Sequence, residues 1–343
     1  MDTILPWHDS LWQQVLRRQQ QDRLPHAFLL CGPPGMGKAW FARRLAAILL
    51  CEKSFQLPEA ERLESACGHC QSCHLLTAET HPDLLLVQPT AGGQLISVEQ
   101  IRELIKFCSL TSYYGRYQIV IINPAEAMNR NAANSLLKLL EEPPPNTLFM
   151  LISHQPMALL ATIRSRCQRL DFSHPNRDLT QAWLHKQLKH SSEFNIPLLL
   201  NLSAQAPLAA LTLVTNEGMA KRREFFDSLI QLSNAQHDPI KIAEKWTQLE
   251  TTLIWQWLLS WTMDIIRYAA TGQTKYFINQ DYQNPLQSLA KQLDLPNWFE
   301  LLDSQQEAYQ LIVKNTNVKL QGLLESIAIT WVKLTAQPRR NSL

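Results

Sequence analysis

A glycine-rich loop directly after a short apolar run is the feature that most restricts the fold of this chain. The run "AFLLC" ends at Cys31, and the next residues are "GPPGMGK", followed by a segment with helical spacing, "KAWFARRLAAILLC". Glycines let the backbone curl so that successive N–H groups point at phosphate oxygens, and a lysine adds a positive charge near the outer phosphates. Strand, loop and helix in this order predict a phosphate-binding loop built on Gly32, Gly35, Gly37 and Lys38.

The order of apolar and amphipathic segments predicts the rest of the architecture. Up to residue 172, strand-like runs such as "YQIVIIN" and "TLFMLIS" alternate with helical segments, which indicates an α/β module with a parallel sheet flanked by helices. Ser97 and Gln100 form a predicted capping box at the start of one of these helices. Beyond residue 172 helical periodicity dominates, with breaks at Pro175 and near residue 212, so we expect helical segments over 173–212 and 213–343.

Charge and composition exclude several classes of protein. Lysine and arginine number 32 against 30 acidic residues, and a net charge of +2 provides no strong field for steering the chain onto nucleic acid. The first residues lack the apolar segment of a secretory signal, and the apolar stretch "LIWQWLLSWTMDIIRYAA" is interrupted by Asp264 and Arg267. These features predict a cytoplasmic protein with no membrane span, in which seven cysteines are metal ligands or buried thiols.

The residues that would hold Mg²⁺ beside the phosphate loop are missing. ATP hydrolysis requires Mg²⁺, which is held by a Ser or Thr after the lysine and by an acid at the end of a nearby strand. This chain has Ala39 at the first position, and Asn123 and Pro124 after the strand "IVII". Glu126 lies two residues further on, off the strand end, and would need a different loop path to replace the acid. The sequence therefore predicts little or no ATP turnover, with ATP or ADP binding weak or absent.

Four cysteines have the spacing of a metal site. Cys51 is followed by "CGHCQSC", which contributes Cys67, Cys70 and Cys73. Four thiolates can surround one Zn²⁺ tetrahedrally, and such a closed site braces structure because it leaves no position for substrate. The alternatives are an iron–sulfur cluster, which lacks its characteristic terminal Cys-Pro here, and buried or redox-active thiols. We interpret His69, His74 and His81 as surface histidines, and Cys31, Cys108 and Cys167 as core residues.

The order of these motifs resembles a known family. The phosphate loop, the four-cysteine module, "THPD", the altered strand end, "ANSLLKLLEEPPPNTLFMLIS" and "TIRSRCQRLDF" are together similar to clamp-loader subunits of bacterial DNA polymerase III, which belong to the AAA+ class. The resemblance is strong over about residues 1–172 and rests on length and pattern beyond. It implies an AAA+ P-loop domain over 1–172 with a zinc module at about 51–73, a small helical lid over 173–212 and an all-α collar over 213–343.

The departures from the family pattern indicate which kind of loader subunit this chain resembles. Motor subunits of the family keep the Mg²⁺ ligands, whereas another subunit shares their plan but has a decayed nucleotide site. Leu208 also lies nearest to the position where motor subunits place a nucleotide-sensing arginine. The resemblance implies that Arg166, in Ser165-Arg166-Cys167, points across a subunit boundary at the ATP of a neighbouring motor. Taken alone, Arg166 would be a solvated surface group, and Arg164 and Arg169 are interpreted as surface or interface ion-pairing residues.

Two further features have a structural interpretation. Glu141 and Glu142 end a helix before three prolines that cannot continue it, so "LEEPPP" is a helix stop. Six tryptophans of the C-terminal helices are core residues, with some helix faces expected against other subunits in a collar. They are Trp246, Trp255, Trp257, Trp261, Trp298 and Trp331.

The sequence and the resemblance together predict a stator within a clamp loader. We expect no intrinsic ATPase activity, and the resemblance implies that the chain is a component of the DNA-directed DNA polymerase (nucleotidyltransferase) holoenzyme. The implied partners are the motor subunits gamma and tau, the clamp-opening delta subunit, the sliding clamp indirectly, and primer–template DNA within the complex. Two alternatives stay open. One is an active AAA+ ATPase or phosphotransferase that uses Glu126, and the other is a zinc-bearing nucleic-acid-binding module with salt-sensitive DNA affinity.

Overall fold

The computed structural model describes residues 5–21, 23–54, 65–90, 95–114, 116–188, 194–234, 236–313 and 319–335. Residues 55–64 of the predicted zinc module and 189–193 of the predicted lid lie outside these ranges. The chain forms two compact units, one of residues 1–183 with 206–209 and one of residues 184–205 with 210–343. The division into three domains stays a prediction. Within the described ranges no single helix has the length and apolarity to cross a membrane, although one bent pair of short helices meets those two criteria jointly.

A five-stranded parallel sheet forms the centre of the first unit. In space the strands follow the order β2-β3-β4-β1-β5, so that β1 pairs with β4 on one side and β5 on the other. The strands are β1 (Ala27–Cys31), β2 (Leu84–Val87), β3 (Gln118–Ile122), β4 (Thr147–Ser153) and β5 (Gln168–Asp171). β1, β3 and β4 are buried along their whole length, which is typical of central strands covered on both faces. The predicted α/β module with a parallel sheet is confirmed.

Helices cover both faces of this sheet and enclose two apolar clusters. In the first unit they are α1 (Asp9–Gln20), α2 (Lys38–Leu50), α3 (Gln71–Thr77), α4 (Val98–Ser109), α5 (Arg130–Glu141) and α6 (Ala161–Arg166). The capping box of α4 is confirmed, because the Ser97 side chain accepts from the Gln100 N–H and the Gln100 side chain accepts from the Ser97 N–H. α5 ends at Glu141, just before the three prolines, as predicted.

From residue 177 onward the described chain is helical. Its helices are α7 (Arg177–Gln187), α8 (Ile196–Leu202), α9 (Pro207–Thr215), α10 (Gly218–Ser233), α11 (Pro239–Trp246), α12 (Thr251–Thr271), α13 (Gln283–Ala290), α14 (Leu295–Val313) and α15 (Leu320–Thr335). All six C-terminal tryptophans are buried within the chain itself, which confirms their interpretation as core residues. Phe225 lies at the centre of one aromatic cluster, with its ring 4.8 Å from Trp246 and 5.5 Å from Trp261.

A buried polar network explains why the apolar helix α12 contains an aspartate. The Asp264 carboxylate is fully buried and accepts hydrogen bonds from the Ile278 N–H at 3.1 Å and the Asn279 N–H at 2.8 Å. Arg267 adds an ion pair at 2.8 Å. These partners satisfy the buried charge and hold the segment before α13 against α12.

Candidate functional site

The predicted phosphate loop joins the end of β1 to the start of α2. Gly35 and Gly37 have φ values of 77° and 87°, in the left-handed region where a side chain is strained. A Cβ atom on Gly37 would also lie 2.5 Å from the Leu5 Cδ1 atom. The loop therefore has the strand–loop–helix context and the backbone curvature that its glycines predict.

The ammonium of Lys38 binds its own loop. Nζ donates to the Gly32 carbonyl at 2.5 Å, to the Pro33 carbonyl at 2.6 Å and to Nδ1 of His154 at 2.9 Å. Burial lowers the pKa of Lys38 to about 8, although the nearby Glu126 carboxylate acts in the opposite direction. The three donor protons of this ammonium are thus directed to groups of the same chain.

His154 is a site residue that the sequence analysis missed. It follows β4 directly, and burial together with the Lys38 charge lowers its pKa. A neutral imidazole can accept a hydrogen bond from the Lys38 ammonium on Nδ1, in agreement with the short distance between these two atoms. The only sequence signal was a polar residue at the carboxyl end of a central strand, where the side chains of a parallel sheet converge on the phosphate loop.

Glu126 reaches the site by a short path. It lies in a one-turn 3-10 helix, Ala125–Ala127, immediately after Asn123 and Pro124. Its Oε1 atom accepts from the His154 N–H at 2.8 Å and from the Gln155 N–H at 3.2 Å, so the carboxylate is tied to the end of β4. Sequence reasoning placed Glu126 off the end of β3. The 3-10 turn provides the different loop path that brings its carboxylate to the end of β4.

The side chains at the two expected Mg²⁺ positions have no negative charge. Ala39 is the second residue of α2, and Asn123 and Pro124 follow the last residue of β3. Ala39 and Pro124 have no side-chain oxygen, and Asn123 has only a neutral amide oxygen. The hydroxyl and the carboxylate that hold Mg²⁺ in active P-loop enzymes are therefore not found at these two positions.

Other segments of the first unit also bind the phosphate loop. The Leu208 N–H donates to the Gly35 carbonyl at 3.1 Å, and a Cβ atom placed on Gly35 would lie 2.7 Å from the Ala209 methyl. On the Met36 carbonyl, Trp7 Nε1 donates at 3.0 Å and His8 Nε2 lies at 2.8 Å. The carbonyl oxygens of Gly35 and Met36 are therefore used within the chain.

A cleft of about 490 Å³ opens beside the loop, between the ends of β1, β4 and β5. Among its lining residues are Gly32, Pro33, His154 and Arg169. Arg169 forms an exposed ion pair with Asp171 at 2.7 Å, which confirms its interpretation as an ion-pairing surface residue. Arg164 instead places Nη1 2.9 Å from the Met157 Sδ atom.

Arg166 is the last residue of α6 and is held by two groups. Its Nη2 atom lies 2.5 Å from Oε1 of Glu141, and its Nη1 atom donates to the Thr162 carbonyl at 3.0 Å. The Arg166 side chain is 33% exposed and the Glu141 side chain 49% exposed. Glu141, interpreted from sequence as part of a helix stop, thus also pairs with the predicted finger arginine.

The four cysteines predicted as metal ligands lie together. Cys51 and Cys70 have their sulfurs 4.0 Å apart, Cys67 and Cys73 have theirs 3.9 Å apart, and all four Sγ atoms lie within 4.8 Å of one another. Zn–S bonds of about 2.3 Å in a tetrahedron place sulfurs about 3.8 Å apart, so these separations fit one ion. Backbone N–H groups of Cys67, Cys70 and Cys73 point at sulfurs of the set. The cluster could hold a metal ion.

A second layer of polar contacts holds this cluster in place. Arg116 donates from Nη1 to the Cys51 carbonyl at 2.7 Å, and Ser72 donates to the Leu50 carbonyl at 2.7 Å. His81 is buried, with Nε2 2.7 Å from the Ser72 hydroxyl and Nδ1 accepting from the Asp83 N–H. The prediction that His81 is a surface histidine was wrong, because "THPD" turns inward beneath α3.

The other cysteines and histidines agree with their sequence interpretation. Cys31, Cys108 and Cys167 are buried in one apolar cluster of the first unit, as predicted for core thiols. Burial raises the pKa of Cys108 and of Cys167 to about 12, so these thiols stay protonated at neutral pH. His69 and His74 are exposed.

Comparison with known proteins identifies the family. A family model described as DNA polymerase III, delta subunit, matches residues 7–176, and a second model, for the C-terminal part of that subunit, matches residues 216–333. The chain is 36% identical to a protein named DNA polymerase III subunit delta' from Pseudomonas aeruginosa, over 97% of this chain and 99% of that protein. A protein of the same name from Yersinia pestis is 30% identical, with 95% and 94% covered.

One solved structure aligns with most of the chain at a low level of similarity. It is a gamma subunit-related protein of DNA polymerase III from Thermotoga maritima, with 94% of this chain and 99% of that chain covered, 16% identity and a TM-score of 0.40. The Pseudomonas and Yersinia proteins, in contrast, align with nearly the whole chain, and their sequence identity is high enough to establish a common family. The chain therefore belongs to the family of DNA polymerase III delta' subunits, which are clamp-loader components.

Proposed function

We propose that this chain is an ATPase-deficient stator of the clamp loader that supplies Arg166 in trans to the ATP of a neighbouring motor subunit. The observation that carries the proposal is the state of the phosphate loop. Lys38, the one catalytic residue retained there, donates to Gly32, Pro33 and His154 of its own chain, while Ala39 contributes no Mg²⁺ ligand. A loop in this state favours a structural role over hydrolysis.

The placement of Arg166 supports its role as a trans finger. The guanidinium donates one hydrogen bond, to the Thr162 carbonyl, and forms an ion pair with Glu141. The side chain is one-third exposed, so it is open to approach by a neighbouring subunit. A planar, permanently charged fork suits the charge that develops on a transferring phosphoryl group.

The partners follow from this assignment. We place the chain beside a motor subunit of the gamma or tau type, with the clamp-opening delta subunit also in the loader. The sliding clamp is reached through the complex, and primer–template DNA is bound by the assembly, since a net charge of +2 provides little attraction of its own. Replication in the cytoplasm is the setting that we propose, and the predicted lid (173–212) and collar (213–343) would carry the assembly contacts.

A structural zinc ion is part of the same proposal. Cys51, Cys67, Cys70 and Cys73 would hold Zn²⁺ with all four positions filled by thiolates, which leaves no coordination site for substrate. The ion would brace the segment between α2 and β2. A bound Zn²⁺ would stabilise the fold of this segment and would take no part in ATP hydrolysis.

The test is the ATPase rate of a reconstituted loader in which only the motor beside this chain keeps its phosphate-loop lysine. Arg166→Ala should lower turnover at that site by about 10³-fold or more, as for other trans arginines. Arg164→Ala, on the same helix but held by Met157, is the matched control and should retain the rate. Equal rates for wild type and Arg166→Ala in an intact complex would refute the finger role.

A further inference from the structure

We propose that Glu141 is a positioning residue for Arg166, one that fixes the guanidinium for the neighbouring subunit's triphosphate. The inference rests on the function proposed above. Its starting observation is the pairing of the Glu141 carboxylate with Arg166 across two different helices, α5 and α6, at 2.5 Å.

Two contacts together determine the plane of the guanidinium. Nη2 lies against Glu141 Oε1, and Nη1 donates to the Thr162 carbonyl one turn earlier in α6 at 3.0 Å. A single contact would leave the planar group free to rotate about the bond to its partner. Two contacts to groups on separate helices remove that rotation and select one arrangement of a long side chain that otherwise has many rotamers.

The Glu141 carboxylate is carried by a well-packed helix, α5. Leu136 and Leu140 on the inner face of α5 are buried, and the packed partner helix α6 buries Ile163. Three prolines follow Glu142, and their fixed φ angles restrict the chain as it leaves the helix. Glu141 is therefore placed by packing, which is the condition for one side chain to orient another.

The exposure of the pair excludes a mainly stabilising role. Both side chains are partly exposed, at 33% and 49%, and ion pairs of that kind contribute little to folding stability. We therefore assign the Arg166–Glu141 contact the role of selecting one orientation of the guanidinium. Because the guanidinium is one-third exposed and has five N–H donors, it can bind phosphate oxygens without leaving Glu141.

The test uses the loader with a single active motor described above and compares Glu141→Ala, Glu141→Gln and Glu142→Ala. Glu142 is the neighbouring exposed glutamate, after the end of α5, and is the matched control. We expect Glu141→Ala to lower kcat by about 10-fold to 10²-fold with little change in KM, as for a misplaced catalytic group. Glu141→Gln keeps an acceptor oxygen and should retain most of the rate, and Glu142→Ala should be unchanged.

A double variant separates positioning from general structural damage. In the Arg166→Ala background, Glu141→Ala should cause no further loss, because its effect acts through Arg166. An equal loss in both backgrounds would overturn the proposal, as would a wild-type rate or a raised rate for Glu141→Ala. If Arg166→Ala is itself silent, the finger role fails and the positioning role with it. If Arg166→Ala is damaging and Glu141→Ala silent, only the positioning role fails.

Discussion

The ammonium of Lys38 lies 2.9 Å from Nδ1 of His154, and the same ammonium binds the carbonyls of Gly32 and Pro33. A charged group that is buried to this degree requires hydrogen-bond acceptors, and here they come from the loop and from the end of β4. All three acceptors are neutral groups of the same chain.

The first prediction concerns the pH dependence of stability. The pKa of Lys38 is lowered to about 8 by burial, so the folded protein releases this proton at a lower pH than the unfolded chain does. Stability contributed by Lys38 therefore rises with pH above the folded pKa and levels off near the unfolded one. Between about pH 7.5 and about pH 9.5 the wild type should gain about 2 kcal/mol relative to Lys38→Met. Urea unfolding of both proteins measures this difference.

Lys106→Met is the control for that measurement. Lys106 is exposed on α4 and should show no such gain. A constant difference between wild type and Lys38→Met across the same pH range would show that the ammonium is not buried as described.

The second prediction is that restoring Mg²⁺ ligands does not restore hydrolysis. The variant Ala39→Ser, Asn123→Asp and Pro124→Glu regains a hydroxyl and two acids, yet Lys38 still binds its own loop and residues 206–209 still pack on Gly35. Phosphate release by the purified variant should stay at the background rate. Turnover by the variant that disappears when Lys38→Ala is added would contradict this prediction.

The third prediction concerns the metal. Purified protein should contain one zinc ion per chain, and Cys67→Ser should lose it, whereas Cys108→Ser, which alters a buried thiol outside the cluster, should keep it. Chelation should remove amide hydrogen-exchange protection from α3 and leave that of β3 in place. Metal analysis that finds no zinc in the wild type would contradict the assignment.

The fourth prediction concerns the second unit. Asp264 is fully buried and accepts from Ile278, Asn279 and Arg267, so Asp264→Ala leaves these donors unpaired. We expect a loss of about 3–5 kcal/mol in the free energy of unfolding. Asp227→Ala, at an exposed position of α10, should change it by less than about 0.5 kcal/mol. Denaturant titration measures the free energy of unfolding of both variants. An equally small loss for Asp264→Ala and Asp227→Ala would show that the buried network does not stabilise the fold.

Features that depend on local pattern were predicted well. The strand-loop-helix around Lys38, the capping box at Ser97 and the cysteine spacing each involve residues near in sequence, where periodicity and turn chemistry carry the signal. The buried tryptophans follow from apolar helical faces that have to be covered.

Contacts between residues that are distant in sequence were missed. The contact of Lys38 with His154 joins residues 116 positions apart, and the pairing of Arg166 with Glu141 depends on how α5 and α6 pack. Glu126 reaches β4 only because a 3-10 turn reverses its direction, and His81 is buried because "THPD" folds beneath α3. Periodicity in one segment contains no information on which distant segment will lie beside it.

The contact between Gly35 and residues 206–209 restricts which residues the loop can accept. Methyl groups of Ala206 and Ala209 lie close to the space that a side chain on Gly35 would fill, and the Leu208 N–H occupies the Gly35 carbonyl. A side chain at position 35 would have to displace this segment of backbone. Packing as well as the positive φ angle therefore requires glycine there, and the loop and residues 206–209 constrain each other's sequence.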